Sequence, residues 1–203
     1  MARRVENPIE DPPDPAAGLA RVEKAVRDRG GLPPVDLWNP PYCGEIDIRI
    51  AADGTWYYMN SPIGRKRLVR LFSTVLRRDE DGRYYLVTPV EKIGITVDDA
   101  PFLAVHMETE GEGAQQVIRF ATNVGDQVVV DDAHPLRFEP ERGSDGLKPY
   151  VLVRGRLEAL VNRPIFYDLV ELGTTETLHG EEWYGVWSSG RFYPMARAAD
   201  IGL

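Results

Sequence analysis

The chain has 203 residues, 43% of them hydrophobic and 28% charged, with a formal net charge of −8. That length supports one large domain or two small ones with cores of their own. The acidic balance disfavours broad nucleic-acid binding, which needs a basic face to neutralise phosphates. Cys43 is the single cysteine, so neither an intrachain disulfide nor a cysteine metal cluster can form.

The opening stretch, through Pro8, Pro12, Pro13 and Pro15, is charged and is expected to be mobile. It lacks the apolar segment of a secretory signal, and no apolar run reaches bilayer-spanning length. A cytoplasmic protein is expected, with neither nucleic acid nor membrane as partner. Leu19, Val22 and Val26 form a helical stripe from Ala16 to Arg29, and Gly30-Gly31 supplies its stop. Residues 1–34 therefore read as a tail and helix. The proline-rich connector after them leads into a first domain over 35–100, followed by a β-rich domain over 101–203.

Glu45 to Ile50 alternates, with Ile46, Ile48 and Ile50 on one face, and predicts a half-buried strand. Ala52-Asp53-Gly54-Thr55 turns the chain into a strand at Trp56 to Met59. Ser61 then reads as a helix N-cap and Pro62 as its first residue. Leu68, Val69, Leu71, Phe72, Val75 and Leu76 follow at helical spacing. On that wheel Arg67 and Arg70 face solvent, whereas Arg65 projects into the apolar arc and needs a partner.

Further strands are predicted at Arg83 to Thr88, Ile93 to Val97, Phe102 to Met107, Val117 to Thr122 and Gln127 to Val130. Pro149 to Val161 reads as one long strand interrupted by Gly155, followed by a helix from Pro164 to Leu172. A hairpin turning at Ser188-Ser189-Gly190 closes the chain. The segments Asn60-Ser61-Pro62-Ile63 and Asn162-Arg163-Pro164-Ile165 echo each other, as do Leu68 to Leu71 and Leu169 to Leu172. They predict an α+β fold of two domains, built on a duplicated strand-helix-strand motif that packs around a shared cleft.

The free amides that follow Ser61-Pro62, the helix dipole and Arg65 make an anion seat. An Arg65–Glu91 ion pair is the competing arrangement. Trp187 belongs to an aromatic cluster in the second copy and can cover a planar ligand. Metal binding is not expected, since His106, His134 and His179 stand far apart and Asp131-Asp132-Ala133-His134 reads as a solvated turn. No catalytic elbow or phosphate loop is present, and no cofactor is expected.

Asp53-Gly54-Thr55-Trp56, Ser61-Pro62-Ile63 with Arg65, Leu68 to Phe72, Thr88-Pro89-Val90-Glu91-Lys92, Asp99-Ala100-Pro101-Phe102 and Thr122-Asn123 resemble a bacterial family, domain of unknown function 1285. The resemblance runs from about Gly44 to Phe192. It implies two α+β domains, the second similar to pleckstrin-homology-like folds. It also implies a site between them for a nucleotide-like ligand, and a signalling role without catalysis. The candidate ligand residues are thus Ser61, Arg65, Thr88, Glu91, Lys92, Asn123 and Trp187. The alternatives are a protein-interaction module and a nucleotide-directed hydrolase.

Overall fold

The computed structural model describes residues 32–141, 143–144 and 146–202. The expected tail and its Ala16 to Arg29 helix lie outside the described residues. The first half is a six-stranded sheet made of β1 (Tyr42–Ile50), β2 (Trp56–Tyr58), β3 (Ser61–Pro62), β4 (Leu76–Arg78), β5 (Tyr84–Val87) and β6 (Lys92–Val97). Helix α1 (Lys66–Thr74) joins β3 to β4. The strand order is β3-β2-β1-β6-β5-β4, with a parallel pair, β1 and β6, at the centre.

The second half repeats this plan. It contains β7 (Phe102–Glu110), β8 (Val117–Thr122), β9 (Gln127–Val129), β10 (Leu136–Pro140), β11 (Leu147–Arg154) and β12 (Leu157–Val161). Their order is β9-β8-β7-β12-β11-β10, again around a central parallel pair. Helix α2 (Arg163–Glu171) then leads into a three-stranded sheet of β13 (Thr174–Leu178), β14 (Glu181–Ser188) and β15 (Arg191–Arg197).

The protein is thus mostly β with two described helices, and its duplicated unit is the six-stranded sheet. This corrects the strand-helix-strand repeat. Helix α1 lies inside the first sheet, between its third and fourth strands, whereas α2 follows the sixth strand of the second. In the second sheet the position of α1 is taken by the short link between β9 and β10. Four strands escaped the hydrophobic pattern: β3, β4, β10 and β13. The segment expected as one long strand is the β11–β12 hairpin, because Gly155 takes a φ of +52° that a continuing strand cannot hold.

Alternation sets the inner faces. Ile48, Ile50 and Trp56 from the first sheet and Phe102, Ile118, Phe120 and Val151 from the second join one continuous apolar core. Phe72 of α1 stacks on Trp56, with centroids 6.1 Å apart and planes 12° apart. The third sheet is fastened to the second by the fully buried Ser188, whose hydroxyl donates to the Val130 carbonyl at 2.7 Å and accepts from the Ile118 amide at 3.0 Å.

Candidate functional site

Helix α1 starts at Lys66, four residues later than Pro62. Met59 and Asn60 take left-handed φ values of 48° and 60°. That matches a two-residue hairpin turn with positive φ at both central positions. Ser61 and Pro62 then pair with Tyr58 and Tyr57. Proline has no amide to donate, which suits an edge strand. The exposed Ser61 therefore caps nothing.

Arg65 becomes the extended N-cap residue, with φ −83° and ψ 95°. The helical wheel does not govern an extended residue, so Arg65 is exposed rather than turned into the apolar arc. Among the described residues it forms no ion pair with Glu91. Arg67 and Arg70 face solvent, in line with the wheel.

The remaining candidates serve local structure. The buried Thr88 hydroxyl accepts from the Glu91 amide at 3.2 Å, and the Thr88 amide donates to the Glu91 carbonyl at 2.9 Å, closing the β5–β6 turn. Lys92 donates to Asp79 at 3.0 Å and lies 4.6 Å from the Tyr85 ring centroid. Arg77 also donates to Asp79, at 2.6 Å, and reaches the Val35 and Trp38 carbonyls at 2.8 and 2.7 Å. Burial pushes the Asp79 carboxyl up, but the hydrogen bonds from Arg77 and Lys92 outweigh it and hold the group below its ordinary value.

Asn123 accepts from the Leu103 amide at 3.0 Å and donates its own amide to the Leu103 carbonyl at 2.9 Å. Its Nδ2 reaches Gly54 of the first half, where a Cβ would stand 2.8 Å away. Trp187 is distant in role: its indole donates to Glu176 at 2.9 Å, and its ring tilts against Phe192 at 5.5 Å. No described hydrogen bond or ion pair joins Arg65, Glu91, Lys92 and Asn123 to one another.

The junction of the two halves holds charges that sequence spacing did not bring together. Asp99, in the linker, accepts from Lys148 at 2.6 Å and from the Tyr150 hydroxyl at 2.7 Å. Arg137 lies 4.3 Å over the Tyr150 ring and grips Glu158 with two bonds of 2.5 and 2.7 Å. Burial, reinforced by the bond to Asp99, pushes the Tyr150 phenol well above its ordinary value. Arg154 of β11 pairs with Asp126 and donates to the Ser73 carbonyl, in the last turn of α1, at 2.8 Å. A cation is well placed there, at the negative end of a helix.

The N-terminal part of α1 behaves differently. Arg49, Arg77, Arg83, Lys92, Arg119, Arg137, Lys148, Arg154, Arg156, Arg191 and Arg197 each meet a carboxylate. Arg78 donates to the Gly82 carbonyl and Arg163 to the Tyr167 hydroxyl. The described cations left without such a partner are Arg65, Lys66, Arg67 and Arg70, all exposed. Lys66 and Arg70 are four apart and Arg67 and Arg70 three apart, so like charges face each other at a cost of a few tenths of a kcal/mol per pair. Arg65 at the N-cap and Lys66 and Arg67 in the first turn also sit at the positive end of the helix dipole, which costs about 0.3–1 kcal/mol each. No acidic residue occupies the first turn, and no side chain caps the helix. An anion would reverse every one of these costs.

This basic face touches the second half. The Arg70 guanidinium lies against Gly125 in the β8–β9 turn, where a Cβ would stand 3.0 Å from its Nη2. Gly125 has a φ of +93°, a conformation that other residues avoid. Elsewhere, Asp131 accepts from the Ala133 and His134 amides, a self-contained turn. Among the described residues no three His, Cys, Asp or Glu side chains could hold a metal. No described helix is long and apolar enough to cross a membrane.

Fold and site together define a duplicated, mostly β protein with an uncompensated basic helix face beside the junction of its halves. Residues 33–100 match the domain of unknown function (DUF1285), N-terminal domain, and residues 101–195 match the protein of unknown function (DUF1285), C-terminal domain. The chain belongs to the DUF1285 family. A DUF1285 family protein from Silicibacter pomeroyi, solved by crystallography, is 48% identical, covers 90% of this chain and 98% of its own, and superposes with a TM-score of 0.80. A second, from Shewanella baltica, is 24% identical, covers 61% of this chain and 90% of its own, and gives a TM-score of 0.48. No curated protein matches significantly.

Proposed function

We propose that the protein is a non-catalytic receptor for a small, nucleotide-like anion and acts in cytoplasmic signal transduction. The seat in this reading is the uncapped first turn and basic face of α1, beside the Asn123–Gly125 turn of the second half. One observation carries it: in a chain of net charge −8, Arg65, Lys66, Arg67 and Arg70 are the described cations without a partner. Phosphate oxygens suit both free helix amides and arginine forks. A pleckstrin-homology-like reading of residues 101–203 is supported by its make-up, nine strands and one described helix.

Thermal unfolding with inorganic diphosphate and with common nucleotides tests the proposal. A ligand that binds the native state raises its melting temperature in a concentration-dependent way. The expected result is a rise with phosphorylated ligands, lost in an Arg67→Ala/Arg70→Ala variant. No rise with any of them would sink the reading.

A further inference from the structure

The edges of the three described sheets are not treated alike. An exposed edge is a row of unpaired amides and carbonyls that invites another strand, and folds usually blunt it. In the first sheet β3 carries Pro62, and the 3-10 turn Val35–Leu37 lies beside β4. In the second, β9 is three residues long, and β10 lies against β15 of the third sheet. The exception is β13, which runs five residues with neither proline nor lysine. Its hairpin turns at His179-Gly180, both with left-handed φ, so the closing pair Leu178 and Glu181 exchanges hydrogen bonds. Alternation then directs the amides and carbonyls of Thr175 and Thr177 away from β14, and no described group meets them. Glu176, the one charge in the strand, does not guard the edge. Its carboxylate turns back over the sheet and accepts from the Trp187 indole at 2.9 Å.

We infer that β13 takes up an extended, basic segment of a partner protein as a fourth strand of the third sheet. The outward groups of Thr175 and Thr177 supply the main-chain bonds of strand addition. Charge complementarity selects the occupant. From Pro164 to Gly190 the chain carries Asp168, Glu171, Glu176, Glu181 and Glu182, and no lysine or arginine. Glu171 and Glu182 are exposed and have no described partner. Glu182 stands directly opposite Thr177 in the register, and Glu171 precedes Thr174 by three residues, within about 10 Å along the chain. Alternate side chains of an added strand lie over the small, exposed Thr175 and Thr177. A lysine or arginine there reaches toward Glu182 from two strand spacings away, about 10 Å. A second copy of this chain fits worse: pairing Thr175 with Thr177 across a two-fold axis would set Glu176 opposite its own copy, a like-charge pair.

Titrating a dye-labelled peptide of alternating lysine and threonine with the full chain, read by fluorescence anisotropy, tests the inference. Hydrogen exchange at the Thr175 and Thr177 amides is followed in parallel. The expected result is binding that weakens as salt screens the charges, with exchange slowed at those two amides. A counterpart peptide with glutamate in place of lysine should not bind. Thr177→Pro removes one outward amide and should abolish binding, while the melting temperature holds because an edge position tolerates proline. Glu171→Gln/Glu182→Gln alters two exposed carboxylates without touching the strand, and should weaken binding roughly tenfold. No binding of the basic peptide would overturn the inference. So would binding that leaves both amides unprotected, that survives the proline in a folded variant, or that is matched by the acidic peptide. Protection of both amides before any peptide is added, in a monomer, would show that the chain covers its own edge. A dimer in sedimentation that Thr177→Pro dissolves would assign the edge to a second copy, and either result would overturn the inference too.

Discussion

The junction of the two halves and the basic face of α1 are both rich in arginine, yet they use it in opposite ways. At the junction every described cation has a carboxylate or carbonyl in reach. Arg154 alone connects Asp126, the Ser73 carbonyl and the face of Phe102. On α1, Arg65, Lys66 and Arg67 oppose the helix dipole, and Arg70 faces the like charges of Lys66 and Arg67. The difference teaches how to separate structural charge from functional charge. Charge that stabilises the fold is answered inside the fold. Charge that destabilises it and is kept nonetheless points outward, to something the fold does not contain.

The largest expected effect falls at the junction. Arg154→Ala leaves Asp126 and the Ser73 carbonyl unanswered and uncovers Phe102, and should lower unfolding free energy by about 3 kcal/mol. A urea titration measures it. A loss below about 1 kcal/mol would mean that Arg154 does not tie the halves. Next, Asp99→Asn weakens the bonds from Lys148 and Tyr150 and should cost about 1–3 kcal/mol.

A smaller effect depends on pH. The folded state holds the Tyr150 proton more tightly than the unfolded chain does. Its contribution to stability is therefore complete below the unfolded tyrosine value, near about 10, and is lost as pH rises from there toward the raised folded value. Melting temperatures measured across that alkaline range should fall less steeply in Tyr150→Phe than in the natural chain. Identical slopes would show that Tyr150 is not held by its burial and Asp99.

Local pattern carried the strands well where burial alternates, as along Ile46, Ile48 and Ile50. It also carried the second helix. There Asn162 is extended and its side chain accepts from the Ile165 amide at 3.3 Å, starting α2 beside Pro164. The same letters at Asn60-Ser61-Pro62 led elsewhere. Asn60 takes a left-handed φ and closes a hairpin, because Tyr57 and Tyr58 offer a strand for Ser61 and Pro62 to pair with. A strand partner is a tertiary fact, and an asparagine before a proline is compatible with either outcome. Arg65 followed the same error, since its direction depends on which residue begins the helix.

The junction was illegible for another reason. Asp99 and Lys148 are 49 residues apart, and Asp126 and Arg154 are 28 apart. No spacing rule reaches that far. What the sequence did show was the cluster of cations itself. Their lack of partners among the described residues is a property of the fold, which answers the other described arginines and lysines with carboxylates, a carbonyl or a hydroxyl.

The most direct measurement is the melting temperature of an Arg67→Glu/Arg70→Glu variant, with and without inorganic diphosphate. If the basic face of α1 is kept for an anion, reversing these charges relieves repulsion and favours the dipole. The unliganded variant should then be as stable as the natural chain or slightly more so, with its response to diphosphate gone. A variant that is destabilised by more than about 1 kcal/mol, or that still responds to diphosphate, would contradict the account.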